Sequence, residues 1–226
     1  IKGVGTFNGP EFHTARWPHD GIDYKDKKVA IIGTGASGVQ TIQELAKDVK
    51  NLTVFQRRPN WCAPLHNSRI SENEMQEIRA SYSDIFQRCK DTVAGFLHSV
   101  DPRSAFEVTS QERYQFWEDL YASRGFGIWQ GNFKDVLTDP KANKEMSDFV
   151  ANKIRDRVID PYTAEKLIPK DHGFGTRRVP LETHYYECYN QPNVKLIDIS
   201  ESPIIEITHQ GISTATHNYE VDIIIY

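Results

Sequence analysis

Gly33-Thr34-Gly35-Ala36-Ser37-Gly38 is the segment of this 226-residue chain whose spacing points most directly to chemistry. Glycines in the pattern G-x-G-x-x-G let a backbone turn tightly, approach a bulky anion closely and pack a following helix against the preceding strand. A helix that starts there aims unpaired N–H groups and a partial positive charge at whatever the turn holds. The matching ligand is the pyrophosphate of a dinucleotide, and Thr34, Ala36, Ser37 and Gln40 complete the candidate cofactor-binding set around Gly33, Gly35 and Gly38. A glycine turn with a purely structural task is the competing reading. About 20 residues further on, an NAD site places a carboxylate to grip the ribose hydroxyls; this chain has Gln56-Arg57-Arg58 there. A carboxylate repels a 2′-phosphate, whereas a guanidinium binds it through paired charge-assisted hydrogen bonds. Arg57 and Arg58 therefore favour NADPH, the alternative being a solvated pair of surface arginines.

These residues can act only if a buried strand delivers the turn and an amphipathic helix leaves it. Lys28–Ile32 is a short apolar run of the kind buried on both faces of a sheet. Val39, Ile42, Leu45, Ala46 and Val49 then recur at helical spacing, and Leu52–Phe55 supplies a second strand. The result is a β-α-β unit with parallel strands and a right-handed crossover. After Pro59 the character changes, and residues 71–167 read as helical and charged. Ser71-Glu72-Asn73-Glu74 has the form of a capping box opening a helix through Met75, Ile78, Tyr82, Ile85 and Phe86. Met146, Phe149, Val150, Ile154 and Val158 form another helical stripe, and Asp160-Pro161 places a cap and a first-turn proline before one more helix. Short β-type runs return at Val194–Ile197, Ile204–Ile207, Gly211–Thr216 and Val221–Ile225. The last two are expected to pair as a hairpin-like crossover.

The fold class expected is α/β: a Rossmann-like dinucleotide-binding domain with a parallel sheet and a large helical insertion. Residues 1–26 read as an interdomain linker, 27–67 and 168–226 as the nucleotide-binding domain, and 68–167 as the insertion. Charged residues make up 26% with a net charge of −4, mixed in sign and without a long basic block. That weighs against nucleic acid and against membrane surfaces as partners. No run of about 18 apolar residues occurs. Cys62, Cys89 and Cys188 are far apart and fit reduced thiols in a cytoplasmic protein. The histidines have no ligand spacing, so no metal is expected. The absence of an initiator Met, and an uncapped strand at Asp222–Tyr226, lead to the expectation of a fragment.

Phe7-Asn8-Gly9-Pro10-Glu11-Phe12-His13-Thr14-Ala15-Arg16-Trp17-Pro18 matches F-x-G-x-x-x-H-x-x-x-W-P in full. This resembles the identifying motif of the Baeyer–Villiger monooxygenases, including its place just ahead of the glycine turn. The resemblance implies that the motif residues Phe7, Gly9, His13, Trp17 and Pro18 lie where an FAD domain meets an NADP domain. His13 and Trp17 would then help to coordinate domain movement; read from the sequence alone, a lone loop histidine is more simply a packing residue. Val54-Phe55-Gln56-Arg57-Arg58-Pro59-Asn60-Trp61 is similar to the family's V-F-Q-R-x-P-N-W segment, which makes Arg57 the 2′-phosphate ligand. Arg58 departs from the small hydroxyl residue often found there. It would strengthen the preference for NADPH or point into water.

Gly173-Phe174-Gly175-Thr176-Arg177-Arg178 resembles the family segment that ends in two basic residues. By that resemblance Arg177 contacts the nucleotide phosphate and Arg178 is catalytic at the flavin; without it both are plain exposed charges. The family uses NADPH, FAD and O2 to insert one oxygen atom into a ketone, giving an ester or lactone. Arg178 would stabilise negative charge developing on oxygen. The partner implied is the FAD-binding domain of the same full-length chain, because the FAD site falls mostly outside these residues. Two other readings remain: a flavin-containing or N-hydroxylating monooxygenase, against which the full motif counts, and a non-catalytic NADPH-binding module.

Overall fold

The computed structural model describes residues 1–92 and 94–226. In chain order it contains β1 (Glu11–Phe12), β2 (Lys28–Ile32), α1 (Ala36–Leu45), β3 (Asn51–Gln56), β4 (Ala63–Pro64), α2 (Glu72–Ala80), α3 (Tyr82–Asp91), α4 (Ser110–Ala122) and α5 (Gly127–Gln130). There follow α6 (Pro140–Arg157), α7 (Pro161–Leu167), β5 (Leu181–Glu182), α8 (Tyr185–Cys188), β6 (Val194–Asp198), β7 (Ile204–Thr208), β8 (Gly211–Thr214), β9 (Asn218–Glu220) and β10 (Ile223–Ile225). The chain divides into two compact units, one of Ile1–Cys62, Val150–His172 and His184–Tyr226, the other of Ala63–Phe149 and Gly173–Thr183.

The first unit is built on a five-stranded parallel sheet in the order β1-β10-β2-β3-β6. The β-α-β unit forms as expected, because β2 is buried at Val29, Ala30 and Ile31 and α1 buries Val39, Ile42 and Leu45. Alternate strand residues turn to opposite faces. Ala30, Phe55, Ile197 and Ile224 face Ile207 and Ile212 of an antiparallel β7-β8-β9 sheet, which forms one covering layer. Burying a side chain of the size of Phe55 or Ile212 contributes about 1.5–3 kcal/mol, and both are almost wholly buried.

Several sequence expectations need correction here. Gly211–Thr214 pairs with Asn218–Glu220, not with the final run. Ile223–Ile225 instead enters the parallel sheet between β1 and β2. The chain crosses over at Val221 and Asp222, where the Asp222 amide donates to the Lys28 carbonyl (2.7 Å) and its carboxylate accepts from the Lys28 amide (2.8 Å). Residues 1–26 fall within the sheet unit. Their backbone is paired with the last strand: Ile224 donates to Pro10 (3.0 Å), Tyr226 to Phe12 (2.9 Å) and Thr14 to Tyr226 (2.9 Å).

The second unit is helical apart from the short parallel pair β4-β5. Its core gathers Trp117, Phe133, Phe149 and Met146, with the Trp117 indole donating to Asn132 Oδ1 at 2.9 Å. The helix expected from Ser71 through Phe86 breaks at Ser81 into α2 and α3, and neither buries a residue. At Ser81 the backbone leaves the helical conformation, with φ −97° and ψ 5°, while its hydroxyl donates to the Glu77 carbonyl (2.9 Å). The expected insertion 68–167 is also divided differently: residues 150–167 belong to the sheet unit, and 173–183 to the helical one. Ile154 and Val158 of the expected helical stripe are buried, and Asp160 caps α7 ahead of Pro161.

Candidate dinucleotide site

The sheet delivers the glycine turn at the carboxyl end of β2, where open α/β sheets bind ligands. Gly33 adopts φ 115°, a conformation that favours glycine, and its amide donates to the Phe55 carbonyl at 2.9 Å. Gly35 caps α1 without any side-chain hydrogen bond, and the first helical turn carries no acidic residue. Its N–H groups therefore keep their pull on an anion. A Cβ placed on Gly33 or Gly35 would meet nothing within 4 Å, so open space lies over the turn. A Cβ on Gly38 would lie 2.4 Å from the Gly33 carbonyl oxygen, so that glycine serves close packing of helix on turn.

The hydroxyl of Thr34, a residue 4% exposed, donates to the Arg58 carbonyl at 3.1 Å. That bond ties the glycine turn to the arginine-bearing end of β3. A cleft of about 560 Å³ is lined by Gly33, Thr34, Gly35, Phe55, Arg57 and Arg58. The structure thus brings the glycines and both arginines together. Arg57 is exposed and has no ion-pair partner among the described residues, whereas Arg58 Nη1 lies 3.5 Å from Asp171 Oδ2. Ser37 and Gln40 line a different cleft, with Thr14 and Trp17. Ala36 opens α1 behind the turn.

A second cleft of about 510 Å³ shares Arg57 and Arg58 and adds Tyr162, Lys166, Asp171, Asp198 and Ser200. Lys166 is its anchor. Its carbonyl accepts from Gln56 Nε2 (2.7 Å), and its ammonium contacts Asp198 Oδ2 (3.1 Å) and the Glu201 carboxylate. Glu201 first, with Asp198 behind it, holds the Lys166 ammonium above its ordinary range. Burial pulls the Asp198 carboxyl upward, but the Ser200 hydroxyl and amide together with Lys166 keep it below the usual value. Sequence reasoning missed Lys166, Asp171 and Asp198. The one available signal was the place of Asp198 at the end of a third parallel strand; Lys166 and Asp171 come near the arginines only through tertiary folding.

Arg177 and Arg178 belong to the second unit and are exposed there. The segment before them is moored. Asn143 Nδ2 donates to the Phe174 carbonyl (2.9 Å), Phe174 is wholly buried, and Trp129 Nε1 donates to the Gly175 carbonyl (3.1 Å). Gly175, at φ 76°, lies so close to Trp129 and Leu137 that a Cβ would clash.

The segment from Phe7 to Pro18 has a visible architecture. A Cβ on Gly9 would lie 2.4 Å from the Asp222 carbonyl oxygen. His13 is exposed, and its Nδ1 accepts from the Ala15 amide at 3.0 Å to cap a single turn over Thr14–Arg16. Trp17 packs edge-on against Phe12 at 5.0 Å, while Phe7 packs against the core cluster between the two sheets. Among the described residues no group of three or more His, Cys, Asp or Glu could hold a metal ion, and no helix is long and apolar enough to cross a membrane.

No family model matches the chain. Against curated proteins it is 50% identical to the 2-oxo-Δ3-4,5,5-trimethylcyclopentenylacetyl-CoA monooxygenase of Pseudomonas putida and 42% identical to the cyclopentanone 1,2-monooxygenase of a Comamonas strain. Both matches take in the whole chain, yet they cover only 43% and 42% of those proteins. A phenazine N-monooxygenase of Lysobacter antibioticus is 36% identical over 42% of its length. Among solved structures, the crystal structure of OTEMO in complex with FAD and NADP superposes with a TM-score of 0.98 at 50% identity, covering all of this chain and 44% of that one. The chain thus spans less than half the length of the relatives it matches.

Proposed function

We propose that this chain, which belongs to the Baeyer–Villiger monooxygenases by homology along its whole length, forms the NADPH-binding part of an FAD-dependent enzyme that inserts one oxygen atom of O2 into a ketone. The observation that carries the reading is the open cradle over Gly33 and Gly35 in the same cleft as Arg57 and Arg58. A pyrophosphate fits that cradle, since Gly33 and Gly35 leave unfilled the space that side chains would occupy and the first turn of α1 supplies N–H donors. NADPH, when bound, supplies the hydride that reduces the flavin. Arg57 binds the 2′-phosphate, and Thr34 fixes the arginine turn relative to the glycine turn. Gly38 sets the helix, Ala36 and Ser37 shape its first turn, and Gln40 faces the family-motif side with Trp17.

Arg177 is assigned to the nucleotide phosphate, and Arg178 to stabilising negative charge on oxygen in the reaction with the ketone. His13, Trp17, Phe7, Gly9 and Pro18 are assigned to the junction with an FAD-binding domain. The reduced state of Cys62, Cys89 and Cys188 supports a cytoplasmic setting.

The test is nucleotide preference in the full-length protein. Arg57→Ala removes charge-assisted hydrogen bonds of about 1.5–3 kcal/mol, so NADPH binding should weaken by about tenfold or more while NADH binding holds. An unchanged ratio, or a native preference for NADH, would overturn the assignment. A second reading, oxygen transfer to a ring nitrogen, draws on the phenazine N-monooxygenase relative. Turnover of a cyclic ketone against an aromatic N-heterocycle separates the two.

A further inference from the structure

We propose that Asp171 is a specificity-determining residue that competes with the nucleotide's 2′-phosphate for Arg58, and so moderates the discrimination between NADPH and NADH. The inference rests on the NADPH reading above. Asp171 and Arg58 line one cleft together with Arg57. The Arg58 guanidinium lies 3.5 Å from Asp171 Oδ2, with side-chain exposures of 64% and 39%.

The two partners are not equally mobile. Asp171 Oδ1 is 2.7 Å from His172 Nδ1, and the other nitrogen of that ring is 3.3 Å from Asn60 Oδ1. The His172 carbonyl accepts from the Trp61 indole at 2.9 Å, and Gln56 holds the Lys166 carbonyl at the end of α7. The segment carrying Asp171 is thereby pinned to the segment that follows β3. Arg58 has a long, flexible and largely solvated side chain, so it is the partner that moves.

An incoming 2′-phosphate meets two penalties there. It must draw Arg58 away from a carboxylate, and it must then remain beside that carboxylate, a charge of its own sign. NADH meets neither. An exposed ion pair is weak, so Arg58 is displaced without being locked out, and the effect is a tuning of preference. The role was not legible locally, because Asp171 lies more than a hundred positions after Arg58 in the chain.

Asp171→Asn keeps the shape of the side chain and removes its charge. Adenosine 2′,5′-bisphosphate and 5′-AMP, titrated calorimetrically into the full-length protein, separate the phosphate contribution from the rest of the nucleotide. The variant should bind the bisphosphate about three- to fivefold more tightly and 5′-AMP within about twofold of the native value. In an Arg58→Ala background the same substitution should tighten bisphosphate binding by clearly less than in the native background, because only the direct charge repulsion is then relieved. Equal tightening with and without Arg58, or tightening of both nucleotides alike, would overturn the competition. So would no tightening at all. If Arg57→Ala leaves bisphosphate binding unchanged, the NADPH reading itself fails; if Arg57→Ala abolishes it and Asp171→Asn does nothing, only the competition fails.

Discussion

Gly35 and Gly38 belong to one motif yet do separable work, and the separation can be measured. An alanine at Gly35 would find open space, and the backbone there, at φ −75°, tolerates any residue. Gly35→Ala should therefore leave the melting temperature nearly unchanged, because the new methyl enters the nucleotide cradle and touches no protein atom. Nucleotide affinity should fall by about tenfold or more, since the pyrophosphate would have to back away from the N–H groups proposed to hold it. At Gly38 the methyl would lie 2.4 Å from the Gly33 carbonyl oxygen. Alanine gains about 1 kcal/mol in helix propensity, but forcing backbone apart costs about 1–3 kcal/mol. Gly38→Ala should lower the midpoint of thermal unfolding, read by circular dichroism without ligand. The glycine pattern was legible in the sequence because backbone geometry is local. Which glycines border open space and which packs against backbone is read from the coordinates. The place of Arg57 beside the glycine turn was legible, as it follows β3 directly, whereas the partner of Arg58 was hidden by distance along the chain.

Elements whose hydrophobic period is unambiguous were readable. β2 and β3 emerged nearly residue for residue, and α1 starts where expected but ends at Leu45, one turn short of the stripe that reaches Val49, since a strand buried on both faces and a helix with one apolar face have distinct signatures. The failures have physical causes. Val221–Ile225 reads as one apolar run, but Asp222 uses its amide and carboxylate on Lys28, which ends β9 and opens β10. The stripe from Met75 to Phe86 kept helical spacing across Ser81, where the backbone leaves the helical conformation. The clamp between α7 and β6 left no sequence signal beyond the place of Asp198 at a strand end, and it gives the element-scale prediction. Asp198 has a folded-state carboxyl held below its ordinary value of 3.8, so its stabilising contribution is complete above that value. The contribution is lost as the pH falls through the lower folded-state value. Asp198→Asn should reduce stability at neutral pH by about 1 kcal/mol and flatten the acid limb of the stability curve. Chemical denaturation from pH 7 downward checks this, and a native-like acid limb in the variant would contradict it.

At the scale of the whole molecule, the sheet unit and the helical unit divide the proposed labour. The glycine turn, Arg57 and Arg58 all lie in the first unit, and Arg177 and Arg178 in the second. The proposed reaction needs two dinucleotides, NADPH to give the hydride and a flavin to pass it on, and each calls for its own phosphate-gripping turn. These 226 residues contain one G-x-G-x-x-G segment, and they match 42–44% of the relatives' length. A protein made of these residues alone is therefore expected to hold NADPH weakly and to form no ester or lactone from a ketone, even with FAD, NADPH and O2 supplied. Stoichiometric release of NADP⁺ coupled to ester formation by that polypeptide would refute the division of labour. The complementary result locates the function more sharply. If the isolated polypeptide still favours adenosine 2′,5′-bisphosphate over 5′-AMP, and loses the preference on Arg57→Ala, recognition of the phosphorylated ribose is a property of the sheet unit's own turn and arginines, and the rest of the enzyme adds chemistry to a nucleotide already chosen.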